Sequence, residues 1–66
     1  MLVTINGKPQ TIAANSTVSS LLANLGFSGK PVVVEINHIA LFPREYNATV
    51  IEEAANIEIV TLAAGG

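Results

Sequence analysis

No cysteine and no aspartate occur among the 66 residues of this chain. Without thiols there can be no disulfide, thiolate zinc site, iron–sulfur cluster or cysteine nucleophile. The absence also suits a reducing compartment. Positive charge is scarce too: Lys8, Lys30 and Arg44 are scattered and outnumbered by five glutamates. No basic stripe exists to neutralise phosphates, which argues against nucleic acid as a partner. No apolar run approaches the ~18 residues of a membrane span. The N-terminus also lacks the basic and then apolar pattern of a signal peptide. The expected location is the cytoplasm, without a membrane partner. A chain of this size folds as one domain and buries only about 60% of the surface its unfolded form exposes, so its stability is expected to be marginal.

What is present is half apolar and only lightly charged, a globular composition. Met1–Asn6 alternates, placing Met1, Val3 and Ile5 on one face and Leu2, Thr4 and Asn6 on the other. Asn6-Gly7 is a type I′ hairpin signal, and a second strand is expected over Gln10–Ala13. Ser16 and Thr17 are candidate N-caps for a helix whose Val18, Leu21, Leu22 and Leu25 form one apolar stripe. Gly26 suits a left-handed ending, with Phe27 folding back onto Leu22. The run Val32-Val-Val-Glu-Ile36 reads as a buried strand, followed by a turn at Asn37-His38 and a short return strand at Ile39-Ala-Leu41. Pro43 presets φ for a turn or a single helical turn through Tyr46. Thr49–Ile51 is expected as another short strand, Glu53–Asn56 as a connection, and Ile57–Leu62 as the last, cleanly alternating strand. The order ββαβ(β)β gives an α+β, β-grasp (ubiquitin-like) fold: a mixed sheet of four to five strands with one helix packed on one face. First and last strands are expected side by side at its centre. The domain covers residues 1–62, and residues 63–66 form a flexible tail.

Internal sites offer little chemistry. His38 is the single histidine and stands in a turn with no thiol or aspartate to assist it. Glu52 and Glu53 are adjacent, so on a strand their carboxylates point apart, as solvated surface pairs do. Ser19 and Ser20 have no partner base, and Phe42 and Tyr46 are isolated aromatics suited to core or rim. No catalytic or metal-ligating residue is assigned. The tail differs. Ala63-Ala64-Gly65-Gly66 directly follows a strand. Two terminal glycines make a mobile, thin thread that can enter a narrow channel. Their carboxylate is ionised at neutral pH and can attack the α-phosphate of ATP on an activating enzyme. The acyl adenylate so formed accepts sulfur, an amine or a thiol.

Over essentially its whole length the chain resembles the sulfur carriers of thiamine biosynthesis, a small ubiquitin-like β-grasp family. The residues that carry the likeness are the opening strand into Asn6-Gly7, Thr17-Val18 with Leu21-Leu22 and Leu25, and the strand end Val34-Glu-Ile-Asn37. Pro43-Arg44-Glu45 before Tyr46, and Ile57-Glu-Ile-Val60 leading into Gly65-Gly66, complete it. The chain departs in two places: Ala54-Ala55 replaces a Gly-Asp turn, and Ser20 replaces a capping-box glutamate. The resemblance implies that an ATP- and Mg-using, ubiquitin-activating-like adenylyltransferase adenylates Gly66. A sulfur donor such as a cysteine desulfurase then converts it to a thiocarboxylate, and thiazole synthase takes the sulfur. The carrier itself is not an enzyme and binds no cofactor, while Gly65 and Ala64 thread the partner channel. For Pro43-Arg44-Glu45 a structural turn is expected.

The same fold and tail suit a protein modifier conjugated through Gly66, or a carrier for molybdopterin synthesis. Whichever partner applies, a lightly charged carrier must be recognised through apolar contact. If Val3, Ile5, Ile57 and Ile59 face the helix, alternation turns Leu2, Val60 and Leu62 outward. These three are expected to cluster as the partner-binding surface, joined by Val33.

Overall fold

A computed structural model describes residues 1–62. Five strands, β1 (Leu2–Ile5), β2 (Lys8–Thr11), β3 (Val32–Ile36), β4 (Ile39–Ala40) and β5 (Asn56–Thr61), form one sheet in the order β2-β1-β5-β3-β4. Helix α1 (Val18–Asn24) and a 3₁₀ turn (Pro43–Glu45) complete the elements. First and last strands are neighbours and run parallel, Ile5 opposite Ile57, whereas every other pairing is antiparallel. This is the expected β-grasp arrangement.

The hairpin turn at Asn6 (φ 50) and Gly7 (φ 81) has both central residues left-handed, as a type I′ turn requires. Two-residue turns resume pairing at once, so Lys8 sits opposite Ile5. β2 therefore occupies Lys8–Thr11 rather than the expected Gln10–Ala13. A second turn of the same kind at Asn37 (φ 51) and His38 (φ 69) joins β3 to β4.

Thr17, not Ser16, caps α1. The Ser20 N–H donates to Thr17 Oγ1 (3.1 Å), and the Thr17 N–H donates to Ser20 Oγ (3.0 Å). Ser20 thus closes the reciprocal box that a glutamate would otherwise close. The helix ends as Gly26 (φ 86) turns left-handed. Its N–H donates to the Ala23 carbonyl (3.1 Å), and the Phe27 N–H donates to the Leu22 carbonyl (2.8 Å). These two bonds make a Schellman ending. Val18, Leu21 and Leu22 lie buried against Val3, Ile5, Val34, Ile57 and Ile59.

Thr49–Ile51 does not join the sheet. The Val18 N–H donates to the Thr49 carbonyl (3.0 Å), and the Ile51 N–H donates to the Ser16 carbonyl (2.8 Å). The segment is tied to the start of α1 and seals the core with Ile51. The 3₁₀ turn explains Pro43-Arg44-Glu45. Proline fixes φ at the first position, where no N–H is needed. Glu45 Oε1 accepts the Phe42 N–H (3.1 Å), and the Arg44 guanidinium lies 4.6 Å from the Phe42 ring centroid. Tyr46 is buried beyond it, its hydroxyl donating to the Val32 carbonyl (3.3 Å). Ala54 holds φ 66 ahead of β5, in the left-handed region, where an L side chain meets the following carbonyl.

Candidate functional site: the open sheet face and the root of the tail

Gly66, Gly65 and Ala64 lie outside the described residues. The described site is therefore the end of β5 from which they continue. It is held on the β3 side by five cross-strand pairs from Ile36–Ile57 to Val32–Thr61, and by the Leu62 N–H donating to the Pro31 carbonyl (3.0 Å). On the β1 side only two residues pair, Thr4 with Asn56 and Ile5 with Ile57. Asn6 then takes over with its side chain. The Ile59 N–H donates to Asn6 Oδ1 (2.8 Å), and Asn6 Nδ2 donates to the Ile59 carbonyl (3.2 Å). A turn residue thereby extends the pairing of β5 without extending β1. Asn37 acts similarly at the other turn, where Oδ1 accepts the Asn56 N–H (3.0 Å). The sequence marked both asparagines as turn formers. Their side-chain bonds to β5 carry no local signal, since the partner lies 53 and 19 residues away.

Alternation divides β5 between two environments. Ile57 and Ile59 are buried under α1, while Val60 is 56% exposed and Leu62 52% exposed on the bare face. Val33, opposite Val60, shares that face and is 38% exposed. Leu2 is exposed as well but does not cluster with them. Carrying the β1–β5 register back sets Leu2 level with Ala54, whose N–H donates to the Leu2 carbonyl (2.9 Å). Six residue steps along the chain lead from Ala54 to Val60, up to about 20 Å at ~3.3 Å per residue. The apolar strip at the tail root is thus Val33, Val60 and Leu62, without Leu2. Glu35 and Glu58 face each other directly in the register, next along the same face, so the strip is bordered by like charges that repel.

His38, Glu52 and Glu53 are exposed at loops, and Glu53 Oε2 accepts the Leu2 N–H (3.1 Å). Among the described residues no three His, Cys, Asp or Glu side chains gather as a metal site would need. No described helix is long and apolar enough to cross a membrane. What the arrangement offers chemically is a strand end bonded to β3 up to Leu62 and an apolar strip beside it.

Comparison with known proteins gives consistent matches. A family model described as the ThiS family matches residues 3–66. The crystal structure of a thiamine biosynthesis protein (ThiS) from Geobacter metallireducens superposes with a TM-score of 0.85 at 32% identity, covering 100% of both chains. A thiazole synthase from Magnetococcus marinus is 36% identical over 66 residues, which is 100% of this chain but 20% of that protein's length. An uncharacterized protein, ycf40, from Porphyra purpurea is 31% identical over 64 residues, covering 97% of this chain and 90% of its own.

Proposed function

The chain belongs to the ThiS family, and on that premise we propose that it is a sulfur carrier of thiamine biosynthesis that works through the Gly66 carboxylate in the cytoplasm. The observation that carries the reading is the family match across residues 3–66, which includes Gly65 and Gly66. The carboxylate attacks the α-phosphorus of ATP on an adenylyltransferase of the ubiquitin-activating kind, which supplies Mg, and pyrophosphate leaves. The terminal sulfur of a persulfide on a donor such as a cysteine desulfurase displaces AMP to form an acyl disulfide. A second thiol then attacks the donor's sulfur, releasing the thiocarboxylate and leaving a disulfide on the donor side. Thiazole synthase is the acceptor. Supporting that partner, one protein named thiazole synthase contains a segment similar to the whole of this chain.

In this cycle the chain supplies a reactive end and a surface but no catalytic group. Ala64, Gly65 and Gly66 thread the partner's channel, where any side chain larger than alanine meets the wall. The strip of Val33, Val60 and Leu62 docks beside the channel mouth, as an exposed apolar patch on a small protein commonly does. Amidating Gly66 is expected to abolish ATP–pyrophosphate exchange by the activating enzyme and to leave the unfolding midpoint unchanged. Undiminished exchange with the amidated chain would refute the mechanism. Intact-mass analysis of chain isolated from cells separates carrier from modifier, since one oxygen replaced by sulfur marks the first and lysine-linked conjugates mark the second.

A further inference from the structure

The two outer edges of the sheet are blunted. β2 carries Lys8 and Pro9, and β4 is two residues long, devices that discourage a foreign strand. One inner flank is treated differently. The Leu62 N–H reaches the Pro31 carbonyl beyond the Val32–Thr61 pair. Alternation therefore turns the N–H and C=O of Thr61 away from β3, toward the flank where Ile57 and Ile59 meet Asn6. The chain leaves that flank at Gly7, and no described residue is hydrogen-bonded to the Thr61 N–H or C=O. Directly beside it, on the helix side, lies a groove of about 320 Å³. Leu25, Phe27 and Ile59 form its apolar floor, and Lys8 and Gln10 border it. Lys8 is the one charged residue lining it, so the groove favours an apolar side chain followed by a carboxylate.

We propose that this flank is a second docking site, at which an extended strand of the activating enzyme pairs with Thr61 and sets an apolar residue, with an acidic neighbour, into the Lys8–Phe27 groove. The proposal rests on the carrier reading above. Backbone bonds to an open strand supply affinity in this mode, and pockets for alternate side chains supply specificity. Thr61 stands one residue before Leu62 and the tail, so pairing there fixes the direction in which the tail leaves the domain. The Asn6 side chain makes this possible: it completes the bonds of Ile59 and reaches no further along β5.

Hydrogen exchange at the Thr61 amide, followed by NMR in the free chain and in its complex with the activating enzyme, tests the site without a variant. Protection is expected to rise at least about tenfold in the complex. In ATP–pyrophosphate exchange, Lys8→Glu is expected to raise the KM for the chain about tenfold while kcat holds. Thr61→Pro, which removes the open donor, is expected to do likewise. An unprotected Thr61 in a complex that adenylates the wild type normally overturns the docking site alone. So does wild-type saturation by both variants. Protection of Thr61 in the free chain, together with a dimer in sedimentation, overturns the assignment in favour of a second copy. A wild-type chain that the enzyme never adenylates overturns the carrier reading and this partner with it.

Discussion

The two faces of β5 carry the same kind of residue to opposite ends. Ile57 and Ile59 are buried beneath α1, while Val60, one position along, is more than half exposed. Both sets are aliphatic and β-branched, and both favour strands. They differ in what covers them. Apolar character is thus evidence of burial on one face and of recognition on the other, and the face decides which. The sharpest way to test this is to shorten one residue of each kind. Ile57→Ala is expected to cost about 3 kcal/mol, since it opens a cavity at a site with no exposure. That is a large fraction of the stability available to so small a domain. Val60→Ala is expected to stay within about 0.5 kcal/mol. Urea unfolding of both variants measures the contrast, and equal losses would mean that the bare face is a second core.

Charge sharpens the comparison next. Val60→Glu is expected to fold with an unchanged unfolding midpoint yet bind the activating enzyme or thiazole synthase at least about tenfold more weakly, because interface centres are depleted in charge. Wild-type affinity in the folded variant would remove the strip from the interface. The smallest effect concerns where the bare face begins. Ala54 holds φ 66 just before β5, and Ala54→Gly is expected to stabilise the chain by about 0.5–1 kcal/mol, relief of that strain outweighing the added freedom of the unfolded chain. Thermal unfolding would register the gain, and a loss would mean that the Ala54 methyl is held by contacts worth more than the strain.

Local chemistry was legible in the sequence. The Asn6-Gly7 turn, the Val18–Leu22 stripe, the Gly26 ending and the Pro43 turn each depend on residues a few positions apart, and each stands where its residues placed it. Non-local geometry was harder to read. Thr49–Ile51 has strand-like residues, but its donors and acceptors are taken by Ser16 and Val18 at the start of α1, so it never meets the sheet. Leu2 faces the side that alternation requires, yet period-2 patterns say nothing about the stagger between parallel strands, and stagger separates it from Val60. Ser20 looked like the loss of a capping side chain, whereas its shorter arm closes the same box with a hydroxyl. The proposed reactive end, Ala64 to Gly66, was legible from composition and family resemblance.

The position of β5 between β1 and β3 also governs when the chain can fold. During synthesis the first hairpin and the β3–β4 hairpin emerge early, but neither has a partner in the sheet until residues 56–61 arrive. Closing the β1–β5 pair spans nearly the whole chain, the slowest kind of contact to form. The last strand made is therefore the keystone, and the same strand leads into the tail. A chain stalled or clipped before it loses the sheet and, with it, residues 63–66, on which the proposed cycle depends. Under the proposed function, partners that dock on the surface would thereby be spared from engaging copies that have nothing to deliver.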